Sequence, residues 1–369
     1  MQIDLQQSRA HARNYSLAEP RLDIPVRLRG IATAVPGRAV TQAEIAAASK
    51  DVFDGRLSDI QRLLPVFAHA GIETRHFCMP IDWYMKPHGW AERNRLFVEQ
   101  AVDLLVDVAE RTIEAAGCSI EDIDGLVAVS TTGVTTPSLD ALVMERLGMR
   151  RDLRRLPLFG LGCVGGVVGL SRAVDLMRLS PRGKTLMLTV ELCSLTFRNN
   201  DQSNGNIVAT ALFGDGAAGL LLDHDGDGPE LLGGGSHTWS QSLDVMGWRV
   251  EDDGFGVLFS RDIPTLIRRE FRQPLMDFLR DQGMTLEDLA GFVMHPGGAK
   301  VLDAFEESIG IAPPVLATAR NILRQYGNMS AVTVLFVLEA MLAEGVRGRH
   351  LMSALGPGFT AGFQLIDIQ

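Results

Sequence analysis

The sequence has few cysteines, few lysines and no long apolar run. Its 369 residues include four cysteines, and no two of them form a CxxC pair. Such sparse, unpaired cysteines exclude a disulfide scaffold, argue against a zinc site and suggest a reducing compartment. No run of about 18 consecutive apolar residues occurs, the length that a membrane-spanning helix needs, and the polar N-terminus lacks the apolar segment of a secretion signal. We therefore expect a cytoplasmic protein without membrane insertion.

Positive charge is also scarce. Lys and Arg together number 35 against 45 Asp and Glu, which gives a net charge of −10 at pH 7. A protein that binds nucleic acid generally needs a broad basic surface, so this composition disfavours that function. Any anionic ligand must then be held by a local cluster of basic side chains. With 46% hydrophobic and 22% charged residues, the composition is that of a globular protein.

The order of apolar runs predicts an α/β protein with buried strands. Short β-rich runs alternate with stretches in which apolar residues recur at helical spacing. The predicted strands cover 125–131, 185–194, 217–223, 289–295, 351–356 and 361–368. The predicted helices cover 97–116, 163–179, part of 263–283, 299–308 and 329–343. Gly117 is expected to end the first of these helices.

The stretch DGDGPELLGGG at 225–235 predicts a boundary, because it is the segment richest in turn-forming residues. We divide the chain there into an N-terminal arm (1–20), an N-terminal half (21–228) and a C-terminal half (229–369). Both halves contain central strands and a long helix. This similarity suggests a duplicated architecture, although the sequence shows no repeat that proves it.

The segment LFGLGCVGG at 158–166 permits three interpretations. Gly160, Gly162 and Gly165 have the GxGxxG spacing of dinucleotide-binding folds, but Pro157 and a basic run precede them instead of a clear strand. Alternatively, the glycines surround a nucleophilic Cys163, where a helix starting at the cysteine would lower the thiol pKa and small neighbours would admit a thioester. The third interpretation is a buried structural cysteine.

Two residues of the C-terminal half are candidate partners for such a nucleophile. His295 ends an apolar strand and enters the tight turn of FVMHPGG, and sites form at strand ends in α/β sheets. The alternative is a core histidine satisfied by the backbone. Asn328, in YGNMSA, immediately precedes a predicted helix, where capping is its ordinary role.

Cys163 in LGCVGG, His295 in MHPGG and Asn328 in GNMSA, in this order and at these separations, resemble the type III polyketide synthases, the chalcone synthase-like family. The motifs ALFGDGAAG (211–219), SRDIP (260–264) and ALGPGFTAG (354–362) extend the resemblance, which runs from about Arg29 to the C-terminus. It implies a homodimer of thiolase-like, duplicated αβαβα subunits. The β-ketoacyl synthase III enzymes share the Cys–His–Asn logic, but their histidine motif normally reads HQAN.

The resemblance implies that all three residues are catalytic. Cys163, as a thiolate paired with His295, would attack an acyl-CoA and hold the acyl group. His295 and Asn328 would stabilise the enolate formed when malonyl-CoA loses CO2. Repeated condensation would give a polyketide that closes into a ring. We expect no metal, no nicotinamide cofactor and no requirement for a carrier protein.

The resemblance also assigns substrate-binding positions. Phe213 matches a phenylalanine over the reaction centre, whereas the second gating phenylalanine aligns best with Val257, with Phe255 or Phe259 as alternatives. Arg62 and Lys300 are candidate CoA-phosphate ligands, although Lys300 is equally well explained as a surface lysine. The remaining positions that shape the cavity are Thr131, Thr132, Cys193, Thr196, Trp248, Ser330, Gly356 and Pro357.

The residues at these substrate-binding positions favour a fatty acyl starter. With Val257 at the entrance and Trp248 narrowing the ring pocket, a slender apolar tunnel suits an alkyl chain, and each buried methylene contributes about 0.8 kcal/mol. We expect medium- to long-chain acyl-CoA starters and alkylpyrone or alkylresorcinol products. The alternatives are an aromatic or malonyl starter, a β-ketoacyl synthase III-like enzyme that condenses once, and a catalytically silent protein of the same fold.

Overall fold

The computed structural model describes residues 24–53, 65–180 and 183–369. The predicted arm (1–20) and the predicted CoA ligand Arg62 lie outside these residues. The strands are β1 (Arg27–Ala34), β2 (Ala39–Thr41), β3 (Thr74–His76), β4 (Ile123–Val129), β5 (Arg154–Leu158), β6 (Lys184–Leu192), β7 (Asp215–Asp223), β8 (Glu230–Thr238), β9 (Met246–Glu251), β10 (Gly254–Phe259), β11 (Gly291–Met294), β12 (Gly348–Gly356) and β13 (Thr360–Ile368). The α-helices are α1 (Gln42–Phe53), α2 (Pro65–His69), α3 (Ile81–Tyr84), α4 (Trp90–Ala115), α5 (Leu139–Leu147), α6 (Gly165–Arg178), α7 (Asn204–Leu212), α8 (Ile263–Glu270), α9 (Arg272–Asp281), α10 (Ala299–Ile309), α11 (Ala317–Tyr326) and α12 (Thr333–Ala343).

Two sheets with the same internal arrangement, joined edge to edge into one nine-stranded order, form the framework, which confirms the expected α/β class. In the N-terminal half the strand order is β5-β4-β6-β7-β1, with β4 and β6 parallel and β7 antiparallel to both β6 and β1. In the C-terminal half the order β11-β12-β13-β8 repeats these directions. The sheets join where β1 meets β8 through one residue pair, Arg27 and Glu230, whose side chains also form an ion pair at 3.1 Å.

Helices fill the space between the sheets and cover their outer faces. Helix α6 lies in the middle layer, where it contacts β4 and β6 of one sheet and β13 and β8 of the other, and α12 packs beside it. Helix α4 covers β1, β7 and β6 from outside, and Phe278 of α9 stacks on Phe363 of β13 at 5.1 Å between ring centroids. In the described part of the chain, no helix is long and apolar enough to cross a membrane.

Two predicted helices differ from those observed. Helix α4 begins at Trp90 instead of residue 97, because its first two turns are mostly polar and the apolar periodicity starts only at Phe97. The helix expected within 263–283 is two helices, α8 and α9, that meet at Phe271. Pro274 lies in the first turn of α9, where a proline is tolerated, whereas it would break one continuous helix.

The glycine-rich segment at 225–235 is only partly a turn. Its second part belongs to β8, which runs from Glu230 to Thr238. A Cβ on Gly234 would lie 2.4 Å from the Ser171 hydroxyl of α6, so the absence of a side chain allows helix and strand to approach closely. The glycines that suggested a loop therefore serve packing within a strand.

Candidate active site

Cys163 lies where the chain turns into the central helix α6. It is the middle residue of a single 3-10 turn, Gly162–Val164, directly before α6. The Thr131 hydroxyl holds this turn by accepting the backbone N–H of Gly162 at 3.0 Å. A Cβ on Gly166 would lie 2.2 Å from the Ala331 carbonyl oxygen. The glycine therefore lets the Cys163 turn approach the turn that follows Asn328.

Asn328 is held by both its backbone and its side chain. Its N–H donates to the Leu212 carbonyl at 2.8 Å and its carbonyl accepts from the Gly214 N–H at 3.0 Å. The side-chain Oδ1 accepts the Ser330 N–H at 2.8 Å and lies 4.0 Å from Cys163 Sγ, while Nδ2 donates to the Gly297 carbonyl at 3.1 Å. The amide thus caps the following turn and also connects Cys163 to the turn after His295.

His295 lies at the end of β11 and is 3% exposed. Its backbone N–H donates to the Ser353 carbonyl of β12 at 2.9 Å, which fixes the end of the strand. Neither ring nitrogen has a hydrogen-bond partner among the described residues. A buried imidazole without partners differs from the backbone-satisfied core histidine considered as the alternative, and its donor and acceptor remain available to a ligand.

Burial shifts the pKa values of both Cys163 and His295. It raises the pKa of the Cys163 thiol to about 12, an effect to which the nearby Glu191 carboxylate adds. It also lowers the pKa of His295 to about 3. Burial thus opposes the charged form of each residue taken singly. The thiolate–imidazolium ion pair expected from the resemblance stays a prediction.

Glu191 is a residue of the site that the sequence interpretation missed. Its buried carboxylate accepts the Thr131 N–H at 2.9 Å, the Thr132 hydroxyl at 2.8 Å and the Ser330 hydroxyl at 3.3 Å. Burial raises the pKa of Glu191 to about 7. Its signal was a lone carboxylate in an otherwise apolar strand, TLMLTVEL, since such groups are buried only when they have partners.

A narrow cavity of about 40 Å³ adjoins Cys163. The predicted positions among its lining residues are Cys193, Phe213, Trp248, Val257, Ser330 and Pro357. Phe213 meets Trp248 edge to face, with ring centroids 6.2 Å apart. Of the alternatives for the second gate, Phe259 lines the cavity beside Val257, whereas Phe255 is buried and stacks on Trp248. The catalytic cavity is therefore bounded by one sheet hairpin, β9–β10, and by Phe213.

Three predicted cavity residues lie elsewhere. Thr131 and Thr132 are not among the described residues that line this cavity, because their groups bind Glu191 and the Gly162 backbone. Gly356 ends β12, directly before Pro357 of the cavity wall. Thr131 therefore holds the Cys163 turn directly, whereas Thr132 binds the Glu191 carboxylate. That the two threonines shape the substrate cavity stays a prediction.

An apolar cavity of about 60 Å³, the acyl chamber, lies beyond the catalytic cavity. Cys193 and Phe213 line both, so the two spaces are adjacent. Thr196 lines the chamber, and its hydroxyl is occupied because it donates to the Cys193 carbonyl at 2.7 Å. The other walls come from α1, α3 and α7 and from the residues that follow β3 and α3, and they are mostly apolar: Ile45, Val52, Phe77, Ile81, Met85 and Ala209.

A larger cavity of about 490 Å³, the entrance cavity, also adjoins the catalytic cavity. Phe259 lines both it and the catalytic cavity. Lys300 and Arg261 line the entrance cavity, and neither side chain has a hydrogen bond or ion pair with another described residue. The sequence interpretation named Lys300 and missed Arg261, which lies within the SRDIP motif.

Comparison with known proteins agrees with this geometry. The family profiles "Chalcone and stilbene synthases, N-terminal domain" and "C-terminal domain" match residues 28–226 and 237–365. A Bacillus subtilis protein with a provisional chalcone synthase name is 37% identical, over 91% of this chain and 97% of its own. A 1,3,6,8-tetrahydroxynaphthalene synthase of Streptomyces peucetius is 34% identical, over 94% of each chain.

A third relative and a solved structure extend the comparison. An α-pyrone synthesis polyketide synthase-like protein of Mycobacterium tuberculosis is 29% identical, over 92% of this chain and 91% of its own. The crystal structure of 1,3,6,8-tetrahydroxynaphthalene synthase from Streptomyces coelicolor, a bacterial type III polyketide synthase, superposes with a TM-score of 0.89 at 27% identity, over 93% of this chain and 99% of that one. This likeness confirms the thiolase-like fold. The chain therefore belongs to the chalcone and stilbene synthase family, the acyl-transferring condensing enzymes known as type III polyketide synthases.

Proposed function

We propose that this enzyme extends a medium- to long-chain fatty acyl group, held as a thioester on Cys163, with two-carbon units from malonyl-CoA. Cyclisation of the extended chain then gives an alkylpyrone or an alkylresorcinol. One observation carries the proposal: the acyl chamber adjoins the catalytic cavity through Cys193 and Phe213, and its lining is mostly apolar. A hydrocarbon tail placed there leaves water for an apolar surface, which favours binding.

In the loading step, His295 acts as the base. The imidazole takes the thiol proton, and the sulfur attacks the acyl-CoA carbonyl as a thiolate. The bond between the acyl carbon and the CoA sulfur breaks, and the CoA thiolate takes the proton from the imidazolium. The acyl group remains on Cys163, and His295 returns to its neutral form.

In the extension step, two donors stabilise the enolate. Malonyl-CoA loses CO2, and negative charge develops on its thioester oxygen. The Asn328 amide carries two N–H donors, of which the Gly297 carbonyl accepts one, and His295 supplies another from a ring nitrogen without a partner. The enolate carbon then attacks the Cys163 thioester, and the Cys163 sulfur leaves. Fixed donors at this position lower the barrier of decarboxylation.

Lys300 and Arg261 would bind the CoA phosphates at the entrance cavity. Both are cationic, line the same space and have no acidic partner among the described residues. Lys300 lies in the first turn of α10, which has no acidic residue in that turn. Phosphate groups are favoured beside such cations and near a helix N-terminus. From there the pantetheine arm would pass Phe259 to reach Cys163.

The proposed enzyme is a homodimer and takes its substrates as CoA thioesters. Phe159, which is 56% exposed, immediately follows the edge strand β5, and Val134 is 41% exposed. Both side chains are accessible to a partner subunit. The dimer itself is proposed from the family resemblance, and purified dimer with CoA thioesters is expected to need no carrier protein.

The second candidate is a malonyl starter. The two tetrahydroxynaphthalene synthases similar to this chain are named for a product without an alkyl tail. The α-pyrone synthesis relative is named for a ring type that an alkyl-starter enzyme can also form. The apolar lining of the acyl chamber favours the fatty starter, since a malonyl group carries a carboxylate.

The starter is tested by a chain-length series. Purified enzyme receives malonyl-CoA and acyl-CoAs from hexanoyl to myristoyl, and products are identified by mass spectrometry. We expect kcat/KM to rise with length, by up to about fourfold per added methylene, and the products to contain more than one malonyl-derived unit. Coumaroyl-CoA and malonyl-CoA alone serve as comparison substrates. A flat or falling series, with rapid use of either comparison substrate, would reject the fatty starter.

A further inference from the structure

A fourth cavity, the surface cavity, lies at the far end of the acyl chamber. It measures about 280 Å³, and Tyr84 and Phe197 line both spaces. Unlike the chamber, it has polar walls that include Lys86, Arg198 and Asn200. Shared lining residues therefore link the entrance cavity to the catalytic cavity, the catalytic cavity to the acyl chamber, and the acyl chamber to the surface cavity. Tyr84 and Phe197 form the partition between the last two.

One short segment runs the length of the chamber. The 3-10 turn Cys193–Thr196 begins at Cys193, which lines the catalytic cavity, and is followed by Phe197 at the partition. Its backbone is fixed, because Asp215 accepts the Ser194 N–H at 2.8 Å and hydroxyl at 2.5 Å. The Phe197 carbonyl accepts a hydrogen bond from the Arg93 guanidinium at 3.0 Å. The turn thus sets a fixed distance between the catalytic cavity and Phe197.

The two residues of the partition differ in how they are held. The Tyr84 hydroxyl is hydrogen-bonded to the Ser194 hydroxyl at 2.6 Å, and its ring packs edge to face on Phe77 at 5.4 Å. Phe197 is only half-buried and meets the edges of Phe53 and Tyr84, with centroids 6.2 and 6.4 Å away. Tyr84 is therefore the anchored residue, and the Phe197 ring is the replaceable part of the wall.

We propose that Phe197 is a specificity-determining residue: its ring closes the acyl chamber and sets the longest starter chain that gains affinity from further methylenes. This inference rests on the proposed fatty starter. Inside the chamber each methylene leaves water for an apolar surface. Beyond Phe197 a chain would meet the polar and charged side chains of the surface cavity, where a methylene gains little. Affinity should therefore stop rising at the length that reaches this ring.

The test compares wild-type enzyme with Phe197→Ala across acyl-CoAs from hexanoyl to stearoyl. The wild type is expected to show kcat/KM that rises and then levels off. In Phe197→Ala the plateau should move to longer chains. The ratio of kcat/KM for the longest starters to kcat/KM for decanoyl-CoA should rise about tenfold, because roughly two more methylenes are then buried. Phe197→Leu, a milder change for a case in which alanine impairs folding, should shift the plateau less in the same direction.

Two control variants separate the partition from its surroundings. Lys86→Ala and Asn200→Ala change the surface cavity at residues that do not line the chamber, so neither should move the plateau. Malonyl-CoA decarboxylation checks that each variant is folded and active. If Phe197→Ala and Phe197→Leu are both active and their plateaus are unchanged, the role proposed for Phe197 is overturned and the fatty starter is not. A wild-type enzyme that shows no dependence on chain length overturns the fatty starter and, with it, this inference.

Discussion

In the proposed mechanism, Asn328 combines a structural and a chemical task in one amide. Its Oδ1 accepts the Ser330 N–H and so supports the turn that packs against the Cys163 turn. Its Nδ2 has one partner, the Gly297 carbonyl, and one donor left for an enolate oxygen. An aspartate could still accept the Ser330 N–H, but it could donate neither to the Gly297 carbonyl nor to an enolate oxygen. Substitution can therefore separate the two tasks.

Replacing Asn328 tests the enolate donor. Asn328→Ala should lower the rate of malonyl-CoA decarboxylation by about 10² to 10³, because one preorganised donor is lost. Asn328→Asp should lose a similar factor while keeping an acceptor for Ser330. Loss of CO2 from labelled malonyl-CoA provides the measurement, and Asn94→Ala, on α4, is the control. Parental decarboxylation in both variants would show that Asn328 only caps the turn.

At the scale of elements, the site depends on how closely α6 approaches the turn after Asn328. This 3-10 turn, Ser330–Val332, lies against the N-terminal end of α6, and Ser330 adopts a positive φ of 49°. The Glu191 carboxylate at the end of β6 joins the Ser330 hydroxyl to the 131–132 segment. The geometry of Cys163 relative to Asn328 is therefore set by backbone contact between elements.

Gly166→Ala tests this contact. The new Cβ would lie 2.2 Å from the Ala331 carbonyl oxygen, a backbone atom, so the helix and the turn must separate. We expect a loss of about 1–3 kcal/mol in the free energy of unfolding, measured by urea denaturation, together with slower condensation. Gly37→Ala is the matched control, since a Cβ there meets nothing within 4 Å. Equal stability of the two variants would contradict the close contact.

The elements also show what the sequence can and cannot predict. Buried strands such as β6 and β7 were predicted to within about two residues at each end, because continuous apolar runs mark them clearly. The glycines of 233–235 were taken as part of a boundary, since their role in strand packing depends on α6, which is distant in sequence. The acyl chamber could not be predicted from spacing at all, because α1, α3 and the 193–197 turn meet only in the folded chain.

The same limit applies to charge and protonation. The sequence identified Cys163, His295 and Asn328 as candidates, and the structure brings Cys163 within 4.0 Å of Asn328. The expected thiolate was argued from a local feature, the helix N-terminus, and stays a prediction, since burial by the whole fold acts in the opposite direction on the thiol pKa. Glu191 was missed for the same reason, since its partners come from two segments distant in sequence, 131–132 and Ser330.

At the scale of the whole molecule, buried carboxylates should make stability fall as pH rises. The ordinary pKa of 4.5 for Glu191 is raised by burial to about 7, and that of Asp215 is raised from 3.8 to about 6. Between these values the folded chain binds more protons than the unfolded chain, so this contribution to stability is complete below about pH 4.5 and is lost by about pH 7.

Glu191→Gln should remove the larger part of this dependence. For Glu191 alone, the loss between pH 4.5 and 7 is on the order of 3 kcal/mol, because each pKa unit corresponds to about 1.4 kcal/mol. The free energy of unfolding, measured in urea at several pH values, should decline less in the variant than in the wild type. Glu110→Gln, at an exposed position of α4, is the control and should decline like the wild type. Parallel declines for all three proteins would contradict a protonated Glu191.

The proposed function centres on one covalent event, the transfer of a fatty acyl group to Cys163 with its tail in the acyl chamber. The most direct measurement is intact-protein mass spectrometry after incubation with myristoyl-CoA alone, followed by peptide mapping. We predict one added myristoyl group on the peptide that contains Cys163, retained in Cys193→Ser and absent in Cys163→Ala. Acylation that persists in Cys163→Ala, or a wild-type enzyme that remains unacylated while it converts malonyl-CoA alone into product, would contradict the account.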